Sequence, residues 1–217
     1  MDFEAARMNM IEQQIRTWEV LDQQVLDTLC EIKREDFIPE EYKKLAFSDI
    51  NIPLAHGQIT MQPKLEARIV QSLKINETDN ILEIGTGCGY LTAVLASFGK
   101  TVTSLDIFPE FTQSAQRKLN DHNIHNAELI TADGIHGWPS DSPYDVIVLT
   151  GSQPILNDEF QQQLKTGGRL FAIEGESPVM NASVITRIND NQWSSEVIFE
   201  TDVHALIGSA KSSKFLF

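Results

Sequence analysis

Apolar residues recur at helical spacing near the start of the chain, at Met8, Ile11, Ile15 and Trp18. Asp22 then opens a second periodic run through Val25, Leu26 and Leu29. Residues three and four apart share a helix face, so this spacing predicts two amphipathic helices. From Ala46 to Pro63 the text AFSDINIPLAHGQITMQP has no clear period and carries Pro53 and Pro63, which predicts an ordered connecting loop. Loops of this length often carry function. Leu65, Ile69 and Leu73 mark one face of a further helix, closed by the polar turn INETDN.

After Asn80 the pattern changes to short apolar runs separated by helical segments. The runs are Ile81–Ile84, Val102–Leu105, Ala127–Ile130, Val146–Leu149 and Leu170–Ile173. Strands alternating with helices predict a parallel sheet covered on both faces. Beyond Gly175 the rhythm changes again. Ser183–Arg187 and Ser194–Phe199 flank Asn189, Asp190 and Asn191, which is a hairpin signal. The pattern therefore predicts a helical preface with a long loop over residues 1–78 and an α/β core over 79–217, forming one compact unit. Repeats, low-complexity segments and flexible linkers are not evident.

Composition narrows the partners. The 217 residues include 31 acids and 17 bases, a formal charge of −14 that repels phosphates and anionic head groups. Nucleic-acid and membrane partners are not expected, and no stretch approaches the ~18 apolar residues of a membrane helix. Cys30 and Cys88 lie in different segments without metal-ligand spacing, so neither a disulfide framework nor a zinc site is expected. A cytoplasmic location fits this usage. The sequence is silent on oligomeric state.

The sharpest chemical signal is ILEIGTGCGY, residues 81–90. An apolar strand runs into Glu83, Gly85, Gly87 and Gly89 ahead of a helix, the arrangement that lets backbone approach a nucleotide-like ligand. The dinucleotide fingerprint requires Gly or Ala where this chain has Tyr90. Asp106 ends the next predicted strand, where a carboxylate can accept both bonds of a ribose diol. Asp133 and Gly134 follow the third, where a carboxylate can accept from an adenine amino group. Each feature alone has a plain structural reading, as a tight turn, a helix cap or an Asp-Gly turn. Together they mark successive strand ends, where ligands of open α/β sheets bind. Cys88 reads as a small buried residue of this loop.

The glycine loop, the Asp106 strand end, the ADG turn and LKTGGRL (164–170) resemble successive motifs of class I S-adenosylmethionine-dependent methyltransferases. IPLAHGQITMQP resembles the signature loop of the protein-L-isoaspartate O-methyltransferase family, and REDFIP (34–39) its N-terminal element. The resemblance implies a doubly wound Rossmann-like sheet, mostly parallel with a C-terminal antiparallel hairpin, preceded by N-terminal helices. It also implies S-adenosyl-L-methionine as cofactor, with Thr86 and Ile107 joining Glu83, Gly85, Gly87, Gly89, Asp106, Asp133 and Gly134 in its site. The implied acceptor is a damaged protein or peptide carrying isoaspartate, methylated for repair.

On the acceptor side the chain departs from the family. Where the family's loop carries a serine beside the reacting carboxylate, this chain has Met61, preceded by Thr60. A thioether donates no hydrogen bond, and neighbouring side chains of an extended segment face opposite ways. His56, Gln58 and Ile59 complete the substrate-side candidates. VIVLTGSQP (146–154) also differs from the family's Thr-Ala-Ala. Three readings follow: an isoaspartyl carboxyl methyltransferase, a methyltransferase of the same fold with another acceptor, and a non-catalytic cofactor-binding module.

Overall fold

The computed structural model of the chain describes residues 1–210. Phe215, Leu216 and Phe217, expected to dock an apolar surface, lie outside that range. Asp2 caps the first helix, α1 (Phe3–Met10), by accepting the Ala5 amide at 3.1 Å. The helix continues through a π turn (Ile11–Ile15) into a 3-10 turn (Arg16–Trp18). The predicted apolar face is corrected here. Met8 and Trp18 are 45% and 40% exposed, whereas Met10, Ile11 and Ile15 are buried and even Arg7 faces inward. A π turn takes more residues per revolution than an α turn, so it rotates the inward stripe away from Met8 towards Arg7 and Met10.

Asp22 caps α2 (Gln23–Glu31), accepting from Gln24 and Val25, and the helix buries Val25, Leu26 and Leu29. Pro63 starts α3 (Pro63–Leu73), which buries Leu65, Ile69, Val70 and Leu73. Three further helices follow among the described residues: α4 (Tyr90–Phe98), α5 (Pro109–Asp121) and the short α6 (Asp158–Gln162). The strands are β1 (Asn80–Ile84), β2 (Thr101–Asp106), β3 (Ala127–Thr131), β4 (Tyr144–Gln153), β5 (Leu164–Glu176), β6 (Val179–Asn189) and β7 (Gln192–Thr201). They form one sheet in the order β3-β2-β1-β4-β5-β6-β7. The first five are parallel, and β6 and β7 extend the sheet as an antiparallel meander. The doubly wound, mostly parallel sheet with its terminal hairpin is thus the fold of this chain.

Alternation along the central strands divides the core. Ile81, Val146, Val148 and Phe171 pack beneath α2, α3 and α4, in the same cluster as Met10, Ile15 and Leu26. Leu82, Ile84, Ile147, Leu149 and Leu170 face the other way, towards Phe160, Trp138 and Leu206. This second face is thinly covered, because residues 132–143 join β3 to β4 with only the 3-10 turn Pro139–Asp141. Among the described residues, no helix is long and apolar enough to cross a membrane. The carboxyl ends of β1, β2, β3 and β4 converge at one edge of the sheet, where the order reverses between β1 and β4.

Candidate active site

β1 delivers the chain into a loop that only glycine tolerates at two points. Gly85 has φ +101°, and a Cβ there would stand 2.1 Å from the Thr150 Oγ1. That hydroxyl sits 2.9 Å from the Ile84 carbonyl and 3.0 Å from that of Gly85, tying β4 to the turn. Gly89 precedes α4 at φ +86°, with the Ala115 Cβ 2.6 Å from where its own would be. Backbone bonds tie the turn to the end of β2, the Gly85 N–H donating to the Leu105 carbonyl at 2.7 Å and the Thr86 N–H to the same oxygen at 3.2 Å.

Asp106 organises the next strand end. Its Oδ2 accepts the Gly87 amide at 2.9 Å and its Oδ1 accepts the Phe108 amide at 3.0 Å. Burial pushes the carboxyl up, and these amides draw it back down by favouring the ionised form. A carboxylate offers about four acceptor directions, so capacity remains for a diol. Asp133 is exposed, and its Oδ1 accepts the Ile135 amide at 3.0 Å, leaving the other oxygen for a ligand. Gly85, Gly87, Asp106, Ile107, Asp133 and Gly134 all line one cleft.

Three residues expected at the cofactor stand behind this cleft instead. Glu83 is fully buried on the helical side of the sheet, where its Oε2 accepts from the Thr92 hydroxyl at 2.5 Å and the Ser104 hydroxyl at 2.6 Å. Desolvation pushes its carboxyl up to about 7, against the pull of those two hydroxyls. The Thr86 hydroxyl pairs with that of Ser104 at 2.7 Å, and Gly89 is buried against α5. The acid two residues before the glycines therefore braces the turn from beneath. Strand alternation is the reason: Glu83 shares the helical face of Ile81.

The opposite wall of the cleft is the loop between Ile50 and Pro63, which contributes Asn51, Gln58, Ile59, Thr60 and Met61. The loop folds back on itself, with a bridge between Pro53 and Ile59 and the Leu54 amide donating to the Gln58 carbonyl at 2.8 Å. The Thr60 oxygen accepts from the Ile52 amide at 3.0 Å and from Arg34 at 3.4 Å, so this hydroxyl is committed to the root of the loop. His56, at the tip, stacks on Phe108 rather than lining the cleft.

Some of the site escaped sequence reasoning. Arg34 is fully buried and donates to Glu66 (2.9 Å), the Ala46 carbonyl (2.9 Å) and the Met61 carbonyl (2.8 Å). Its acceptors lie 12 to 32 residues away in the chain, so no local pattern announces them. The segment Val203–Ile207 also closes the cleft: the Ser152 amide donates to the His204 carbonyl and the Leu206 amide to the Ser152 carbonyl, each at 2.9 Å. Gly151 permits this approach, since a Cβ there would lie 3.0 Å from the His204 carbonyl. The divergent TGSQ text therefore carries the backbone pairing of the C-terminal wall.

The sequence model of the Protein-L-isoaspartate(D-aspartate) O-methyltransferase family matches residues 5–205. A Protein-L-isoaspartate O-methyltransferase 1 from Geotalea uraniireducens is 34% identical over 192 residues, covering 88% of each chain. One from Rhodopseudomonas palustris is 38% identical over 168 residues, or 77% of this chain and 69% of the relative. A solved protein-L-isoaspartate O-methyltransferase superposes with a TM-score of 0.81 at 25% identity, covering 93% of this chain and 66% of that one. A Plasmodium falciparum structure described as a complex with S-adenosyl-L-homocysteine shares the fold at TM-score 0.78 and 17% identity. With its strand order, its cleft and nearly its whole length accounted for, the chain belongs to the protein-L-isoaspartate(D-aspartate) O-methyltransferase family.

Proposed function

We propose that this protein transfers a methyl group from S-adenosyl-L-methionine to the free carboxylate of L-isoaspartyl residues, with D-aspartyl residues as a related acceptor, in the repair of damaged proteins. The observation that carries the reading is a single cleft bounded on one side by the glycine loop, Asp106 and Asp133 and on the other by the loop through Met61. Peptide substrates fit the formal charge of −14 better than phosphate-bearing partners do. Both cysteines are free, which supports action in the reducing cytoplasm.

The residues present fit the cofactor. Asp106 would accept from the ribose hydroxyls, Asp133 from the adenine amino group, and the side-chain-free backbone at Gly85 and Gly87 would admit the amino-acid part. When bound, S-adenosylmethionine supplies an electrophilic methyl on a sulfonium sulfur. The acceptor carboxylate is already ionised at neutral pH, so the chain needs no general base. What its residues contribute is alignment and exclusion of water. Arg34 fixes the acceptor loop, Val203–Ile207 closes the wall, and Asp106 and Asp133 hold the donor side.

Met61 favours a second reading, a changed acceptor, because a thioether offers the carboxylate no hydrogen bond. The test is transfer of labelled methyl to matched isoaspartyl and aspartyl peptides, counted as base-released methanol, with Met61→Ser in parallel. Activity confined to the isoaspartyl peptide supports the repair reading. Activity only in the serine variant assigns the natural protein another acceptor. Silence from both with intact cofactor binding removes the repair reading.

A further inference from the structure

The loop that carries the acceptor wall is anchored at two places of different character. Its root is buried: the Ile52 amide and Arg34 hold Thr60, and Arg34 also holds the Met61 carbonyl. Its tip is a tight turn in which His56 and Gly57 both take positive φ, +56° and +68°. Positive φ is uncommon for a residue other than glycine, although histidine, like asparagine and aspartate, adopts it more often than most, and structures hold such a conformation where surroundings support it. What supports it here is aromatic. The His56 ring lies 4.1 Å from the Phe108 ring with 3° between their planes, and meets the edge of Phe111 at 5.8 Å. Phe108 and Phe111 are themselves edge-to-face at 5.7 Å. His56 Nε2 stands 3.4 Å from the Glu110 carboxylate.

These contacts join the two halves of the site. Phe108 is two residues beyond Asp106 and its amide is one of the donors that orient the Asp106 carboxylate. On the same turn, the Leu54 Cδ1 stands 3.7 Å from where Gly87 would carry a Cβ, so the hairpin tip roofs the glycine loop. We propose that His56 and Phe108 are positioning residues: their stack clasps the acceptor loop to the cofactor strand end and so sets the alignment of the acceptor with the methyl donor. Phe108 itself lines the cleft beside Asp106 and Ile107, so a clasp that holds its ring in place also retards ligand escape. An aromatic pair of this geometry is strong enough to bias an open–closed equilibrium about tenfold. The alignment part of this inference rests on the methyl-transfer reading above, whereas the retention part stands without it.

The test is a double-mutant cycle with His56→Ala, Phe108→Ala and the combination, accompanied by His56→Phe, which keeps a ring for stacking and removes the imidazole. The readouts are kcat and KM on the isoaspartyl peptide, and the dissociation rate of S-adenosylhomocysteine by stopped flow. Each alanine variant is expected to release S-adenosylhomocysteine about tenfold faster and to lose about tenfold in kcat at little cost in melting temperature. The combination should be no worse than either single change, because one clasp is removed once, and His56→Phe should restore both readouts. Unchanged dissociation in the single variants, or losses that multiply in the combination, would overturn the clasp. If the natural protein leaves the isoaspartyl peptide unmethylated, the repair reading and the alignment role fail together, and the dissociation cycle alone decides the retention role.

Discussion

The guanidinium of Arg34 donates to the carbonyl of Met61 at 2.8 Å, from a position with no exposed surface. The same group is paired with Glu66 at 2.9 Å and packs 5.5 Å from the Tyr90 ring. A planar fork with several fixed donors suits this task, holding two loop segments and one helix from a single centre. Desolvation pushes the Glu66 carboxyl up, and Arg34 opposes that rise. The position where the family has serine is therefore tied to the core through its backbone, whatever its side chain.

Arg34→Met should destabilise the fold by about 3–5 kcal/mol, because Glu66 remains buried without its counter-ion. Adding Glu66→Leu should recover most of that loss, since an apolar pair of similar size avoids the desolvation cost. Methyl transfer should stay depressed in the double variant, because Thr60 and the Met61 carbonyl have lost their donor. Urea denaturation beside kcat/KM checks both halves.

Asp106→Asn should weaken S-adenosylhomocysteine binding about 10- to 100-fold, as for a charged hydrogen-bonding group of about 1.5–3 kcal/mol. Both carboxylate oxygens already accept a backbone amide, so an amide side chain must turn one donor against another. Calorimetric titration reads this directly, and an unchanged Kd would place the ribose elsewhere.

Gly85→Ala should cost about 1–3 kcal/mol in stability, as an alanine has to hold φ +101° with its Cβ 2.1 Å from the Thr150 Oγ1. Thr150→Ala in the same chain should relieve the collision and leave the strained backbone, giving partial rescue of the melting temperature.

Glu83 makes stability depend on pH. Burial raises its carboxyl to about 7 from an ordinary value of 4.5, so the folded protein keeps a proton that the unfolded chain releases. The stabilisation is fully present below about 4.5 and is lost as pH rises through about 7. At about 1.4 kcal/mol per pH unit the change is at most about 3–4 kcal/mol. Glu83→Gln should flatten this part of the stability profile, measured as urea midpoints between pH 4.5 and 8. An unaltered slope would mean that Glu83 titrates like an exposed acid.

Periodicity alone was enough for the order of strands and helices, because burial on both faces forces short apolar runs and one-sided burial forces a helical stripe. That the glycine loop, Asp106 and Asp133 share one cleft was legible for a related reason: a tight turn after a strand accepts few residue types, and strand ends place their acids predictably. Element lengths were less legible. β4 through β7 run well past their apolar cores, since pairing with a neighbour extends a strand through residues such as Lys165 and Glu174 that no pattern marks.

What only the tertiary structure decided are matters of direction and distant pairing. The π turn rotated the first helix so that Met10 rather than Met8 is buried. Pleating sent Glu83 beneath the sheet although it sits between two cleft-forming segments in sequence. Arg34, the Val203–Ile207 wall and the stack of His56 on Phe108 join residues tens of positions apart, and the energy of such contacts belongs to the packed arrangement rather than to any local run of residues. Composition and spacing thus determined which elements form and which strand ends meet at the cleft, because those depend on local periodicity and backbone freedom. How the acceptor loop is held against that site depends on long-range packing and burial.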